Sequence, residues 1–396
     1  MSLREKFMTA EAAAATLEIS RPTLYAYVSR GLIQTSGAGD DPRRRLYSAH
    51  DVEELKKRKA VGRRPRDVAA TTLDWGLPVL SSAITLIDNG ALYYRGRNAL
   101  HLADTESLED IARLLWDCGE DDPFSQAKAT PETFDAQLLA KTASLPLTER
   151  CQSLLPFIAV GRATAWKRNP QRLWPGACAL LRTVAGAAVS RQPDSRPIDA
   201  CLADAWGLDD KGRDIVRRAL VLLADHELNA SAFAVRVVAS TGASLGACLN
   251  AGLSALSGPM HGGTTSLVEL LFDEVERVGD AATVIENRLR RGDSVPGFDH
   301  HLYPDGDPRA RGLLPHLPEN SAQADLLAVM SDMDGKLPNC DFALVALRRA
   351  LGLPQGSALA LFAISRTAGW IAHALEQALD DKLIRPRARY TGPAIG

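Results

Sequence analysis

The apolar positions of the chain recur mainly at three- and four-residue spacing, which is the period of an amphipathic helix. Two sets of apolar residues each share one helix face: Ala230, Phe233, Ala234, Val237 and Val238, and then Leu361, Ile364, Ala368, Ile371, Ala372 and Leu375. Alternating strand patterns are nearly absent after residue 66. Only residues 91–96, which follow the turn signal Asn89-Gly90, predict a hairpin. The fold class is therefore expected to be mainly α.

Short helix signals and a basic run fill the first 60 residues. Thr9 is expected to begin a helix that ends at Leu17, and Ser20 to cap a second helix that Gly31 ends. The basic run 43–45 precedes a third helix over 48–57. Helix, turn, helix, basic wing and helix is a DNA-binding layout. With its stretches TLYAYVSRGLI and RRRLYSAHDVEEL, this 1–60 domain resembles the winged helix-turn-helix of the MerR and excisionase type.

The resemblance places the second helix in the major groove and the wing on phosphates. The residues then expected to contact DNA are Arg21, Thr23, Tyr25, Tyr27 and Arg30 in the helix and Arg43, Arg44 and Arg45 in the wing. The alternative is a helical module that docks on its own dimer or on another protein, because a fold alone does not fix a function. A basic linker, 61–72, follows.

Composition and charge describe a basic appendage on an acidic body. Residues 1–66 hold 14 Lys/Arg and 8 Asp/Glu, whereas the remainder holds 32 and 40. A chain of 396 residues predicts more than one domain. The six cysteines are scattered without a CxxC pair, which predicts reduced core residues and no zinc site. No apolar run approaches the roughly 20 residues of a membrane span, and residues 1–6 lack a signal peptide, so we expect a cytoplasmic protein without membrane contact.

The stretch LSALSGPMHGG, residues 253–263, sets His261 between a Gly-Pro break and a Gly-Gly pair. Paired glycines let the backbone approach a ligand closely. Residues 264–266 (Thr-Thr-Ser) are expected to cap the next helix, whose positive end would keep the imidazole of His261 neutral and able to donate a hydrogen bond. The alternative is a histidine in a tight interhelical turn.

Three further segments carry polar residues among helical patterns. They are LADHELNAS at 223–231, VPGFDHHLY at 295–303 with Asp307-Pro308-Arg309 after it, and LPNCDF at 337–342. With His261 these resemble the citrate synthase family in its usual order, whose patterns are DHExNAS, GPxHGG, PGFGHxxY…DPR and PNxDF. LYYRG at 92–96, SRTAGWIAH at 365–373 and RPR at 385–387 extend the resemblance over about residues 73–396.

The resemblance implies two helical domains with the active site between them. The large domain would comprise 73–261 and 350–396, and the small domain 262–349. The family forms dimers that share each active site, so a homodimer is expected.

The implied reaction joins the acetyl methyl group of acetyl-CoA to the ketone carbon of oxaloacetate. A thioester α-carbon is a weak acid, so the reaction needs a base and a donor at the enolate oxygen. Asp341 matches the base, His261 the donor to the thioester oxygen, and His300 the residue that polarises the ketone and protonates the alkoxide. No metal or other cofactor is implied, because the acyl-CoA is a substrate.

Binding roles follow the same correspondence. Oxaloacetate carries two carboxylates, for which arginine forks are suited. The matching residues are His226, Arg309, Arg366 and, from the partner subunit, Arg385. CoA contacts are expected from Val295, Gly297 and Asn339, partly through the backbone, and from Lys336, for which a solvated loop lysine is the alternative.

Three positions depart from the family pattern or leave a role open. Asp299 replaces a glycine, which predicts either a raised pKa of His300 or a different backbone angle. His301 stands where an arginine is usual, and His300 is favoured as the functional histidine by its spacing to Arg309. Cys340 is either a reactive thiol or small apolar filler.

The leading hypothesis is a citrate synthase, or a 2-methylcitrate synthase that uses propionyl-CoA, fused to a helix-turn-helix. One methylene is worth only a few kcal/mol of pocket fit, so these motifs do not select the acyl group. The hypothesis from another class is a metabolite-sensing, DNA-binding regulator with a weakly active or inactive body.

Overall fold

A computed structural model describes residues 7–17, 19–29, 33–38, 41–62, 80–125, 131–159, 169–333, 335–380, 382–388 and 390–393. The chain divides into two compact units, 1–81 and 82–396. Residues 82–396 form one unit by their contacts, and its division into a large and a small domain stays a prediction.

The first unit is a winged helix-turn-helix. Its elements are β1 Phe7–Met8, α1 Ala10–Thr16, α2 Arg21–Ser29, β2 Thr35–Ala38, β3 Asp41–Ser48 and α3 Ala49–Gly62. The strands form an antiparallel sheet in the order β1-β3-β2, whose β2-β3 hairpin is the wing. Thr9 caps α1 by accepting from the amide of Ala12, and Ser20 accepts from the amide of Thr23, as predicted.

The second unit begins with the predicted hairpin. Its strands are β4 Thr85–Asp88, β5 Ala91–Tyr94 and β6 Arg97–Asn98. Asn89 and Gly90 both have positive φ, 49° and 72°, which is the turn that matches the twist of a two-residue hairpin. The third strand, β6, was not predicted.

Helices make up nearly all of the rest. They are α4 Ala99–Thr105, α5 Leu108–Leu115, α6 Ala136–Thr142, α7 Leu147–Ala159, α8 Pro170–Ala188, α9 Ile198–Trp206, α10 Asp210–Leu222, α11 Ala230–Ala239, α12 Leu245–Leu256, α13 Thr264–Val278, α14 Ala281–Arg291, α15 Pro308–Leu313, α16 Ser321–Met333, α17 Cys340–Ala350 and α18 Ser357–Asp380, with 3₁₀ turns at Pro123–Ser125 and Leu314–His316. The mainly α fold class is confirmed.

Helix α18 is the central helix of this unit. It is 24 residues long, and an 18-residue stretch within it is apolar enough to cross a membrane by length and composition. The expectation that no apolar run approaches that length was therefore wrong. The stretch is 94% buried inside the unit, as a core helix of a globular fold would be.

Polar residues of the motif segments cap three helices. Asn229 accepts from the amides of Ser231 and Ala232 and begins α11. Asp307 accepts from the amide of Arg309 and begins α15, and Asn339 begins α17 in the same way. The site residues thus stand at helix starts, where cap geometry fixes their direction.

The predicted caps of α13 were wrong. Gly263 precedes this helix and makes no side-chain cap. The hydroxyl of Thr264 donates to the carbonyl of His261 at 3.1 Å, and that of Thr265 donates to the carbonyl of Gly262 at 3.0 Å. Because Gly263 already has helical dihedral angles, the hydroxyls turn back to the preceding turn instead of accepting from helix amides.

Candidate active site

Two loops pair with each other at the centre of the site. The amide of Asn339 donates to the carbonyl of Gly297 at 2.9 Å, and the amide of Asp299 donates to that of Leu337 at 2.8 Å. Asn339 Nδ2 donates to the carbonyl of Asp299 at 3.1 Å. Gly297 has a φ of 88°, and a Cβ there would lie only 3.0 Å from Val268. This pairing ties the loop that carries His300 to the helix start that carries Asp341.

Arg309 is held beside that helix start by Asp307. Its Nε and Nη2 donate to the two carboxylate oxygens at 2.9 and 2.7 Å, and the amide of Cys340 also donates to Asp307 at 3.0 Å. Burial opposes ionisation of Asp307, but Arg309 outweighs it and keeps the pKa of that carboxyl below its usual value. The buried pair fixes Arg309 next to α17.

Arg366, on α18, is a buried cation with an open donor. Its Nε donates to the carbonyl of Leu223 at 3.1 Å, while its Nη2 has no hydrogen-bond partner among the residues that the structure describes. The guanidinium carbon lies 4.6 Å from the ring centroid of Phe362. Burial lowers the pKa of Arg366, and the charge of Asp225 opposes that shift. The arrangement suits an anion bound at Nη2.

His226 is a buried imidazole that contacts Tyr303 and His300. Its Nε2 is 2.9 Å from the hydroxyl of Tyr303, and its ring centroid is 5.3 Å from that of His300. Burial, together with the charges of Arg309 and Arg366, lowers the pKa of His226 well below its ordinary value. The ring is therefore neutral and able to donate one hydrogen bond.

His261 is neutral, as predicted, but mainly for a different reason. Burial lowers its pKa to about 4, and Arg366 adds to the shift. Burial, and not the positive end of α13, is therefore the main reason that the imidazole of His261 is neutral. Its Nε2 lies 2.9 Å from the hydroxyl of Ser231, which donates to Asn229 Oδ1 and accepts from Trp370 Nε1.

His300 is also neutral: the charge of Asp299 acts in the predicted direction, but the pKa of His300 is lowered overall. Burial and then Arg309 lower the pKa of His300 to about 4, and the opposing charges of Asp307 and Asp299 are too weak to prevent it. The amide of Leu302 donates to Nδ1 of His300 at 3.2 Å, so the neutral ring carries its proton on Nε2.

Asp299 itself keeps the backbone angle of a glycine. Its φ is 68°, a left-handed value that costs a non-glycine residue about 1 kcal/mol. The neighbouring His301 is exposed, whereas His300 is half-buried with its ring centroid 4.9 Å from that of Tyr303. This difference supports the choice of His300 as the functional histidine.

Asp341 stands in the first turn of α17. Burial raises the pKa of its carboxyl to about 6, although Arg309 and Arg366 act in the opposite direction. Its neighbour Cys340 is buried, and burial raises the pKa of that thiol far above neutral pH. Cys340 is therefore a thiol in the core, which favours the filler interpretation over a reactive nucleophile.

The other residues predicted to bind oxaloacetate or CoA are not shown to converge on the cluster of arginines and histidines. Arg385 is exposed on the extended segment 382–388, and the described residues of this chain give it no ion pair. Val295 packs against the core, and Lys336 is exposed. The backbone of Gly297 and the side chain of Asn339 are used in the loop pairing and the cap of α17, so their CoA contacts stay predictions.

Sequence reasoning assigned no role to four residues that complete the site. Ser231, Tyr303 and Asp307 lie in the quoted motifs, and Phe362 lies outside them. Phe362 packs edge-on against His261 at 6.0 Å and lies under Arg366. It stands four residues before Arg366 on the same helix, so helical spacing was a signal that could have found it. No group of three His, Cys, Asp or Glu side chains in the described part of the chain is arranged for a metal ion.

In the first unit, the predicted DNA contacts divide into free and engaged residues. Tyr25 is 52% exposed and Arg45 is exposed on β3. Arg21 pairs with Glu11, Thr23 bonds the Ser20 hydroxyl, and Tyr27 is half-buried against the core of this unit. Arg43 and Arg44 lie in β3, and Arg30 lies outside the described residues.

Comparison with known proteins resolves the family. The model of the citrate synthase C-terminal domain matches residues 72–387. The chain belongs to the citrate synthase family. A helix-turn-helix domain model matches residues 7–60, where the winged unit lies.

Citrate synthase 2 of Bacillus subtilis is 32% identical over 358 residues, which is 80% of this chain and 95% of that protein. The 2-methylcitrate synthase 1 of Corynebacterium glutamicum is 28% identical over 345 residues, or 77% and 90% of the two chains. The family thus makes this chain a condensing enzyme of the citrate synthase type, without fixing its substrates.

Two solved structures share the fold. The citrate synthase of Thermotoga maritima superposes with a TM-score of 0.65 at 26% identity, over 81% of this chain and 95% of that one. That of Thermoplasma acidophilum, a ternary complex with carboxymethyl coenzyme A and oxaloacetate, superposes with a TM-score of 0.67 at 23% identity, over 81% and 95%.

Proposed function

We propose that this citrate synthase family member condenses acetyl-CoA, or a related acyl-CoA, with oxaloacetate to give citrate and CoA. The observation that carries the proposal is the environment of Asp341. A carboxyl with a pKa of about 6 shares a buried cluster of arginines with two neutral imidazoles, His261 and His300. Such a carboxylate is ionised at neutral pH yet more basic than an ordinary aspartate.

Asp341 takes a proton from the α-carbon of the thioester, and His261 donates to the oxygen that becomes the enolate. Its Nε2 faces Ser231, so Nδ1 is the nitrogen open to a ligand. For Nδ1 to carry the proton, the Ser231 hydroxyl must rotate and donate to Nε2. Asn229 Oδ1 then loses the Ser231 hydroxyl as a donor but still accepts from the backbone amides of Ser231 and Ala232.

His300 donates from Nε2 to the ketone oxygen of oxaloacetate. The α-carbon attacks the ketone carbon, a carbon–carbon bond forms, and the alkoxide takes the Nε2 proton. Water then hydrolyses the citryl thioester, which yields a carboxylate and the CoA thiol. No further cofactor enters this scheme.

The dicarboxylate is held by Arg366 Nη2, Arg309 and His226, with Arg385 supplied by the partner subunit. Four large apolar side chains are exposed on α7, α13 and the turn before α13: Phe157, Met260, Leu267 and Leu270. A homodimer would cover such apolar surface, which supports a shared active site. All six cysteines are free, which fits the reducing cytoplasm where we expect the enzyme to act.

A thiol-release assay tests the proposal. Acetyl-CoA and propionyl-CoA are each offered with oxaloacetate, and the ratio of the two kcat/KM values assigns the enzyme as a citrate or a 2-methylcitrate synthase. Asp341→Asn should abolish release, while Asp332→Asn, on the exposed surface of α16, should leave it unchanged. Absence of turnover with every acyl-CoA would favour the regulator.

We further propose that the first unit binds duplex DNA. The wing strand β3 carries three consecutive arginines, of which Arg45 is exposed, and Tyr25 is exposed on α2. Basic side chains on a wing suit phosphate contact. Retarded migration of duplex DNA by the full-length protein at low salt is expected, and unchanged migration would leave a protein-docking module as the explanation.

A further inference from the structure

Asp225, the residue before His226, is fully buried between the hairpin and α18. The hydroxyl of Thr85, at the start of β4, donates to its Oδ2 at 2.6 Å. On the other side, Nε2 of His373 lies 3.2 Å from its Oδ1, and neither of those two atoms has a hydrogen-bond partner in the described chain. The Asp225–His373 pair therefore joins the chain at His226 to the central helix.

One face of α18 follows the backbone that leads into His226. Arg366 Nε donates to the carbonyl of Leu223, and the amide of Gly369 donates to that of Ala224, both at 3.1 Å. A Cβ at Gly369 would overlap Asp225 Oδ1 and the Ala224 carbonyl. Arg366, Gly369 and His373 share this face because they are three and four residues apart.

Charge links the same residues. Burial opposes ionisation of Asp225, but the contact with His373, the charge of Arg366 and the Thr85 hydrogen bond keep the pKa of Asp225 below its ordinary value. Conversely, burial lowers the pKa of Arg366, and Asp225 is the group that opposes this shift most strongly. A buried cation without an anion nearby is costly. Asp225 supplies that anion and leaves Arg366 Nη2 without a protein partner.

We propose that the Asp225–His373 pair positions the dicarboxylate site: it holds His226 against α18 and balances the charge of Arg366 while leaving Nη2 for the substrate. The inference rests on the proposed oxaloacetate site. Asp225 and His373 are positioning residues, since both are buried and act through His226 and Arg366. The hairpin contributes to this positioning through the hydrogen bond from Thr85 to Asp225.

Steady-state kinetics of the full-length protein test this role. Asp225→Asn and His373→Gln should raise the KM for oxaloacetate by on the order of tenfold, with less than about a threefold change in the KM for acetyl-CoA. Thr85→Val should shift the oxaloacetate KM in the same direction by a smaller factor. The matched control is Asp199→Asn, which removes another buried carboxylate that pairs with an arginine, Arg213. Asp199→Asn should lower the melting temperature and leave both KM values unchanged.

The outcomes separate this inference from the proposed reaction. Equal rises in both KM values, or the same pattern from Asp199→Asn, would overturn it, because general loosening would then explain the effect. If Asp225→Asn does not fold, His373→Gln and Thr85→Val decide. If the wild-type protein shows no turnover, calorimetric titration with oxaloacetate replaces kinetics: weaker binding by His373→Gln supports the pair, and an unchanged Kd refutes it.

Discussion

The amide of Asn339 donates to the carbonyl of Gly297 at 2.9 Å, which joins the chain two residues before Asp341 to the chain three residues before His300. The same Asn339 caps α17 and donates from Nδ2 to the carbonyl of Asp299. A single side chain thereby fixes Asp341 relative to His300.

Replacing Asn339 should therefore harm catalysis more than stability. Loss of a cap costs about 1 kcal/mol, and we expect Asn339→Ala to lower kcat on the order of 100-fold by releasing the loop as well. Asp280→Ala, which removes the cap of α14, should cost similar stability. Thermal unfolding and kcat of both variants make the comparison, and equal kcat losses would show that only stability is at stake.

Asp341→Asn should abolish turnover yet stabilise the protein at pH 8. The pKa of this carboxyl is about 6 in the folded protein, raised from an ordinary value of 3.8, so ionisation in the folded state is penalised. The penalty is full above pH 6, shrinks as the pH falls from 6 towards 3.8, and vanishes below 3.8, where both states are protonated. At about 1.4 kcal/mol per pKa unit, the gain is at most about 3 kcal/mol. Denaturant unfolding at pH 8 and pH 5 should show the gain shrinking with pH; a variant less stable than wild type at pH 8 would contradict it.

The pH profile of kcat/KM for acetyl-CoA should fall on its acid side with a midpoint near 6. Asp341 must be ionised to act as a base, and its pKa is about 6. His261 and His300 have pKa values of about 4 and stay neutral through this range. Initial rates between pH 5 and 8.5 measure the acid side of this profile. A midpoint near 4 would assign the base role to an unperturbed carboxyl.

Asp299→Gly should keep turnover within about threefold, because glycine adopts the φ of 68° without strain. Asp299→Val should be several-fold slower and less stable, since a β-branched residue at positive φ is a severe outlier. Asp299 is exposed, so burial does not confuse the comparison. Equal activity of the two variants would show that the backbone angle at this position is unimportant to His300.

DNA binding by the first unit should depend on salt and on the wing. Each phosphate contact contributes close to one unit to the slope of log K against log salt concentration. Arg45→Ala should weaken binding to all duplexes alike and reduce that slope by about one. Arg97→Ala, an exposed arginine on β6, is the control that should change nothing. Fluorescence anisotropy at several salt concentrations provides the measurement.

Local signals in the sequence were sufficient for the helical class and the hairpin turn, but not for the strand β6 or for every cap. Thr9, Ser20 and the Asn89-Gly90 turn behave as their chemistry predicts, because cap and turn preferences act within a few residues. Thr264 is not a cap because Gly263 before it already has helical dihedral angles. The capping preference of a residue type does not predict the backbone conformation of the residue before it. The apolar character of α18 was underestimated, because polar Ser365, Arg366 and His373 interrupt its apolar pattern while lying buried in the core.

The sequence by itself determined the helical class and the winged unit and predicted the residue types of the candidate site, since periodicity and short motifs are properties of neighbouring residues. The tertiary structure decided the electrostatics. It gave His261 and His300 their low pKa values through burial, made Asp341 a stronger base, and joined Asp225 to a histidine 148 positions away. Accessibility and charge at a point in space depend on which distant segments converge there, and only the folded chain specifies that convergence.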